Sequence, residues 1–156
     1  MKRISLVLVA VGFAIVGCNQ TTRSESDDLT AIREFLSHAG EAVAARDVEA
    51  EVNRFTEDGI YMWPGAPAIQ GHDELRAWFS RRFAQIKTQL EITSLELEVC
   101  GDWAFERGIS VARIRDVGTG HEQVIRGKYL NILRRQSDGS WRIARRIRNA
   151  DHPAGR

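Results

Sequence analysis

The pattern of apolar and polar positions is helical in the first half of the chain and strand-like in the second. Apolar residues recur at intervals of three and four from Asp28 onward, which predicts a long amphipathic helix. Asp47 can cap a second, shorter helix that extends to Phe55, and a third is predicted to begin at Gly71. The apolar stripes of the first and third helices are Leu29, Ile32, Leu36, Ala39 and Val43, and Leu75, Trp78, Phe79, Phe83 and Ile86.

After Gln89 the period of the pattern falls to two, as in strands with one buried face. Long strands are predicted at 103–115, 122–135 and 141–149, with a shorter one at 95–99 and another at 60–63. Because helices come first and strands follow without βαβ alternation, the predicted fold class is α+β. The helices should cover part of a curved antiparallel sheet and leave a pocket between the two layers.

The first residues form a segment of their own. A basic start at 1–3 precedes an apolar run over 4–16, which is shorter than the roughly 20 residues that a membrane-spanning helix needs. Such proportions are typical of a signal peptide, and Gly17-Cys18 with its flanks resembles a bacterial lipobox, in which the cysteine is lipidated. A plain secretory signal with a coincidental cysteine is the alternative.

We therefore expect four parts in the chain. These are a signal peptide at 1–17, a tether at 18–27 that is anchored through Cys18, a folded domain at 28–152 and a tail at 153–156. The protein would be exported and held at the surface of a membrane of the cell envelope by its lipid, rather than by a spanning helix.

Composition narrows the range of partners. The formal net charge of +1 argues against a polybasic nucleic-acid binder, and the arginines late in the chain lack aromatic platforms beside them, so we expect no nucleic-acid partner. The 4 histidines fall in separate segments, so no metal site is expected. Two cysteines cannot build a disulfide framework, and Cys100, at the end of a predicted strand, is expected in the core.

The strand at 103–115 carries a candidate general acid or base. Glu106 shares one face with small residues at positions 104, 108, 110 and 112, which leaves space above the sheet. A carboxyl group in such a poorly solvated space suits proton transfer. Alternatively, this face is solvated, or Glu106 pairs with an arginine. The strand at 141–149 is predicted to bury one face, which includes Trp141, Ile143, Arg145 and Ile147. Arg145 therefore needs a partner there, for which Glu106 is expected and an anionic ligand is the alternative.

Aromatic and amide side chains are the other candidates. Tyr129 shares a face with Asn131, and a phenol beside an amide could polarise a substrate carbonyl. Glu106 and Tyr129 are therefore the predicted catalytic pair, and plain core packing is the alternative use of the aromatics. The predicted lining of the pocket is Tyr61, Trp63, Trp78, Phe79, Phe83, Asn131, Arg145 and Asn149.

Three segments resemble a known family. They are FTEDG at 55–59 with PGAPAIQG at 64–71, GDWAFERG at 101–108, and the stretch 127–149 with GKYL and DGSWRI. In this order they look like the NTF2-like superfamily, in its SnoaL-like or DUF4440-type branch. The resemblance implies a cone in which three N-terminal helices pack on a strongly curved antiparallel sheet. It also implies a homodimer formed through the sheets.

For function, the resemblance implies a pocket for a small, partly apolar molecule and no cofactor. One hypothesis is a ketosteroid isomerase-like, cyclase or dehydratase-type enzyme that moves a proton next to a carbonyl, with Glu106 as acid or base and Tyr129 or Tyr61 as hydrogen-bond donor. A non-catalytic ligand-binding or protein-interaction lipoprotein is the second, and a dimeric structural domain the third. The family often has an acidic residue at the position of Arg146 and an aromatic at that of Arg148, so this chain lacks a carboxylate there.

Overall fold

The computed structural model describes residues 24–151. Its four helices are α1 (Glu25–Ser37), α2 (Ala39–Ala45), α3 (Val48–Val52) and α4 (Gly71–Gln85). Its six strands are β1 (Phe55–Met62), β2 (Ile69–Gln70), β3 (Ile86–Cys100), β4 (Trp103–Asp116), β5 (Glu122–Arg135) and β6 (Trp141–Ala150). The predicted signal peptide and Cys18 lie outside the described residues.

All six strands form one sheet, in the order β2-β1-β6-β5-β4-β3. Strands β3 to β6 follow one another as an antiparallel meander, as the period-two pattern predicts. The early strand β1 returns to the far edge, where it pairs parallel with β6 and antiparallel with β2. The α+β prediction is confirmed. Within residues 24–151, the structure has no helix that is long and apolar enough to cross a membrane.

The first predicted helix is two helices, α1 and α2, separated at His38. Near the end of α1 the carbonyl of Phe35 accepts a hydrogen bond from Nη1 of Arg54 at 3.0 Å. This contact holds the end of α1 while α2 turns onto β3. Asp47 caps α3 as predicted, since Oδ1 accepts from the amide of Ala50 at 2.9 Å. The second predicted helix ends too late, because Phe55 already belongs to β1.

Two apolar clusters connect the helices to the sheet. In one, Phe79 of α4 packs between Phe55 and Tyr61 of β1, with ring centroids 6.3 and 6.0 Å away. In the other, Ile32 of α1 packs on the buried side chains of Leu133 and Trp141. These contacts fix α4 and α1 over opposite parts of the sheet and leave space between them.

One extra residue in β6 reverses which side chains face inward. Ile143 is paired with Leu133, whereas Arg145 is paired with the preceding residue of β5, so Ala144 forms a bulge. Ile143 is buried before the bulge and Arg146 after it. The prediction that one uninterrupted face of this strand is buried is therefore wrong beyond Ile143, and Ile147 is 45% exposed.

The outer face of the sheet carries apolar side chains that are largely exposed, among them Ile109, Leu130 and Ile147. Cys100 lies on this side, because it pairs with Trp103, which is itself 45% exposed. The prediction that Cys100 belongs to the core is wrong. A register shift between Ser94 and Glu96 interrupts the alternation of inward and outward side chains in β3. The face on which Cys100 lies therefore does not follow from the alternation earlier in the strand.

Candidate functional site

A cavity of about 330 Å³ lies between the helices and the inner face of the sheet. One wall is aromatic: the ring centroids of Tyr61 and Trp63 are 5.6 Å apart, and those of Trp63 and Trp78 are 5.3 Å apart. The opposite wall is formed by the middle of the meander, where Ser110, Tyr129 and the backbone around residue 127 face the helices. The volume is at the small end of the range for ligand pockets.

The small-residue face of β4 is its inward face. Glu106 is completely buried, and its neighbours at positions 104, 108 and 110 are buried with it. Pairing across the sheet puts Glu106 opposite Asn131, and Asn131 opposite Arg146. The next inward row contains Gly108, Tyr129 and Arg148. Side chains from three strands therefore converge on one region of the inner face.

Both carboxyl oxygens of Glu106 accept hydrogen bonds. The hydroxyl group of Tyr129 donates to Oε1 at 2.5 Å, and Nδ2 of Asn131 donates to Oε2 at 2.8 Å. Tyr129 and Asn131 line the cavity, whereas Glu106 lies behind them and borders a groove between the α1–α2 region and β3. A ligand in the cavity would therefore meet the phenol and the amide before the carboxylate.

The polar contacts continue through the buried layer. Oδ1 of Asn131 accepts from Nε of Arg146 at 2.9 Å, and Nη1 of Arg146 donates to Oε1 of Glu51 at 2.9 Å. Glu51 also pairs with Arg54, whose Nε lies 3.7 Å from Oε2. Burial and the nearby charge of Arg146 lower the pKa of Arg54 to about 10, so it remains a cation at neutral pH. One carboxylate thus serves two buried guanidinium groups.

Gly108 makes the position of Tyr129 possible. A Cβ atom at residue 108 would lie 2.5 Å from the Tyr129 hydroxyl oxygen and 2.2 Å from the carbonyl oxygen of Thr93. No side chain fits between these groups, so glycine at this position lets the phenol cross β4 and reach Glu106.

Both tyrosines are held in the neutral form. Burial, followed by the hydrogen bond to Glu106 and its negative charge, raises the pKa of Tyr129 far above its ordinary value. Burial likewise raises the pKa of Tyr61. The phenol of Tyr129 is therefore a hydrogen-bonding group with its proton directed at Glu106, and its oxygen lone pairs remain for a ligand.

Two more arginines line the cavity beside the tryptophans. Cζ of Arg82 lies 4.4 Å from the ring centroid of Trp63 and 5.5 Å from that of Trp78. Arg148 donates from Nη2 to Oγ of Ser110 at 3.0 Å, and its Cζ lies 5.9 Å from the centroid of Trp63. Burial lowers the pKa of Arg82, and the positive charge of Arg148 adds to that effect.

Most of the residues predicted from the sequence do meet at the cavity. Arg145 does not: its Nη1 donates to the carbonyl oxygen of Asp58 at 3.3 Å and its Nη2 lies 4.0 Å from the Asp58 carboxylate. The expected pair of Glu106 with Arg145 is therefore not formed, because the bulge turns Arg145 outward and Arg146 inward. The predicted residues that line the cavity are Tyr61, Trp63, Trp78, Phe79, Phe83, Tyr129, Asn131 and Asn149.

Among the charged lining residues, sequence reasoning missed Glu51, Arg82 and Arg148, as well as the inward position of Arg146. Arg82 was detectable in principle, since it follows Trp78 by four residues and so shares its helix face. Glu51 carries no such signal, because its partners are on other elements.

An α+β cone with a cavity between helices and sheet is the architecture of the NTF2-like class. The family model described as a SnoaL-like domain matches residues 24–147, and the chain belongs to this family. The comparison with curated proteins gives no match.

Solved structures agree with this assignment. A ketosteroid isomerase-like protein from Erwinia carotovora atroseptica is 27% identical, with a TM-score of 0.76 over 81% of this chain and 98% of that chain. A Mycobacterium tuberculosis protein described as of unknown function is also 27% identical, with a TM-score of 0.71 over 81% and 73% of the two chains. An NTF2-like protein with a cystatin-like fold from Novosphingobium aromaticivorans, 24% identical, has a TM-score of 0.69 over 83% and 86%. This last likeness concerns the fold alone.

Proposed function

We propose that the protein binds a small, partly apolar carbonyl compound in the cavity and transfers a proton on it, as a cofactor-free enzyme of the isomerase, cyclase or dehydratase kind. The observation that carries the proposal is the hydrogen bond from Tyr129, on the cavity wall, to the fully buried Glu106. The likeness to a ketosteroid isomerase-like protein supports the same class of chemistry.

The geometry favours a relay rather than direct attack by Glu106, since Tyr129 and Asn131 stand between that carboxylate and the cavity. The C–H bond next to the substrate carbonyl breaks, its proton moves to the oxygen of Tyr129, and the phenolic proton of Tyr129 moves to Oε1 of Glu106. The electron pair of the C–H bond passes into the carbonyl group and leaves an enolate. Return of the proton to another carbon completes an isomerisation.

Charge in the surrounding layer would support both ends of this transfer. Asn131 holds Oε2 of Glu106, and Arg146 in turn donates to Asn131, so the carboxylate keeps one orientation. Arg146 also lines the cavity and puts positive charge near a developing enolate. A dry, aromatic surrounding strengthens such interactions relative to water.

Exchange of hydrogen for deuterium tests the proposal without knowledge of the natural substrate. The full-length protein is incubated in D2O with cyclohex-3-enone, 1-tetralone and 2-tetralone, and loss of the protons next to the carbonyl is followed by NMR. We expect exchange above the buffer rate, reduced about 100-fold or more in Tyr129→Phe and Glu106→Gln. Lys128→Gln is the matched control, since Lys128 is exposed and adjacent in sequence to Tyr129.

A non-catalytic binding role is the second candidate, favoured by the hydrogen bonds that both carboxyl oxygens of Glu106 already accept. In that case ketones that bind, as shown by calorimetry, exchange no faster than in buffer, and Glu106→Gln leaves their affinity unchanged. Exchange that persists at the wild-type rate in Tyr129→Phe would refute the relay.

We also propose a homodimer formed through the outer face of the sheet. Leu130 and Ile147 lie opposite each other there and are 37% and 45% exposed, and Ile109 is 46% exposed. Analytical ultracentrifugation should find a dimer for the wild type and a monomer for Leu130→Glu. A monomeric wild type would end this proposal.

Lipid anchoring through Cys18 is a further proposal, supported by the lipobox-like sequence at 15–18. After fractionation of bacterial cells, the wild-type protein should pellet with membranes and Cys18→Ser should not. An equal membrane fraction for both would contradict lipidation.

A further inference from the structure

Two half-buried cations, Arg82 and Arg148, line the cavity and have no anionic partner among the described residues. Arg82 stacks on Trp63 and Trp78, and the side-chain partners of Arg148 are the uncharged hydroxyl groups of Ser110 and Tyr61. Within residues 24–151 neither guanidinium forms an ion pair with a carboxylate. A guanidinium has five N–H donors, so most of those on Arg148 remain available to a ligand.

The two buried arginines, Arg54 and Arg146, differ in this respect. Arg54 and Arg146 share the carboxylate of Glu51, with nitrogen-to-oxygen distances of 3.7 and 2.9 Å. The carboxylate of Glu51 thus pairs with these two arginines, and that of Glu106 accepts hydrogen bonds from Tyr129 and Asn131. The positive charge of Arg82 and Arg148 is therefore unbalanced at the aromatic wall. A positive charge that is partly removed from water is stabilised when an anionic group pairs with it.

Both guanidinium groups approach the same indole ring, that of Trp63, at 4.4 and 5.9 Å. They come from different layers, Arg82 from α4 and Arg148 from β6. A planar apolar body that stacks against the aromatic wall would bring an attached anionic group toward both cations. Planar, bidentate recognition of carboxylates is the geometry in which arginine excels over lysine.

We propose that Arg82 and Arg148 form an anion-binding subsite, and that the cavity takes a planar, aromatic-sized molecule with a carboxylate group. This inference rests on the proposed function in that it uses the same cavity, and it names the substrate class. Arg82 and Arg148 act as specificity-determining residues, while the reacting part of the ligand lies toward Tyr129.

A matched pair of probes tests the subsite. Binding of 2-naphthoate and of its neutral analogue 2-naphthamide to the purified full-length protein is measured by isothermal titration calorimetry. We expect 2-naphthoate to bind at least about 10-fold more tightly. Arg82→Gln and Arg148→Gln should each weaken 2-naphthoate about 10-fold or more and leave 2-naphthamide unchanged. Unchanged binding of the amide shows that the cavity of the variant is intact.

Arg81→Gln is the control, because Arg81 neighbours Arg82 on α4 but is exposed. Equal affinity of the wild type for the two probes would overturn the anion-binding subsite, and so would an affinity for 2-naphthoate that neither substitution changes. Either result would still be compatible with ligand binding in the cavity. If neither probe binds at millimolar concentration, the subsite and the proposed binding of planar molecules both fail. The deuterium exchange of ketones tests the proton transfer separately.

Discussion

The hydroxyl oxygen of Tyr129 lies 2.5 Å from Oε1 of Glu106, and the two residues belong to adjacent inward rows of β5 and β4. The phenol thus connects the cavity to a carboxylate that a ligand does not touch. Because its proton is already directed at Glu106, Tyr129 offers its oxygen to a ligand as an acceptor. This reverses the donor role that the sequence predicts for it.

A spectrophotometric titration checks the state of the tyrosines. The chain has 2 tyrosines, and burial raises the pKa of both Tyr61 and Tyr129. The unfolded phenols ionise near pH 10, whereas the folded ones keep their protons, so the free energy of unfolding should fall as the pH rises above about 10. Absorbance at 295 nm should therefore rise only with alkaline unfolding, followed in parallel by circular dichroism.

Tyr61→Phe and Tyr129→Phe assign any signal to one residue. A phenolate transition near pH 10 in protein that is still folded by circular dichroism would show that the pKa of one of the two phenols is not raised by its surroundings.

Substitution of Gly108 should disturb the Tyr129–Glu106 contact. The added Cβ of Gly108→Ala would meet the backbone oxygen of Thr93 at 2.2 Å, so the strands must shift at a cost of about 1–3 kcal/mol. Ketone exchange should fall with it, because the Tyr129 hydroxyl is also within 2.5 Å. Urea denaturation and the exchange assay measure the two effects.

Gly118→Ala is the control for this substitution, since its nearest neighbour would be Oδ1 of Asp116 at 3.5 Å. Its free energy of unfolding should stay within about 0.5 kcal/mol of the wild type. A wild-type stability and exchange rate for Gly108→Ala would be incompatible with the described packing of Tyr129.

Removal of the Glu51 charge should destabilise the protein strongly. Glu51→Gln leaves Arg54 and Arg146 buried without a carboxylate, and loss of one partner of a buried pair costs about 3–5 kcal/mol. Urea denaturation gives the value. Glu49→Gln, on the same helix but in an exposed pair with Arg76, should leave the free energy of unfolding close to that of the wild type. Similar losses for both variants would mean that Glu51 does not serve the two arginines.

Adjacent arginines of β6 should respond differently to the same substitution. Arg146→Gln removes the partner of Glu51 and Asn131 in the buried layer and should cost about 3 kcal/mol or more. Arg145→Gln affects a half-exposed contact with Asp58 and should cost about 1 kcal/mol or less. The urea midpoints of the two variants show which arginine is buried. A lower midpoint for Arg145→Gln than for Arg146→Gln would contradict the bulge.

The spacing of apolar residues predicts the fold correctly where the periodic pattern of buried positions runs through a whole helix or strand without interruption. The inward face of β4 is such a case, because small residues alternate regularly around Glu106. The face of β6 is not, since the bulge at Ala144 depends on its pairing with β1 and β5, which no local pattern encodes. The same holds for the break at His38, where the partner of the Phe35 carbonyl, Arg54, is 19 positions away in the chain.

In the candidate site, too, local spacing predicts some residues, whereas others depend on long-range contacts. Aromatic lining residues such as Trp78 and Phe79 are predictable, because helical spacing alone places them on one face. The ion pairs of Glu51 are not, because their partner Arg146 is 95 positions away in the chain. Long-range charge pairing is decided by tertiary packing, to which a single sequence gives no access.

The bulge at Ala144 absorbs one residue of β6 without changing which side chains beyond it face the cavity. Loss of that one codon would restore uninterrupted alternation, with Ile143 inward, Arg145 outward and Arg146 inward again, so Arg146 and Arg148 would keep their inward positions. The strand would be one residue shorter and the cavity would keep both arginines. A relative that lacks one residue at this point can therefore present the same side chains to its cavity.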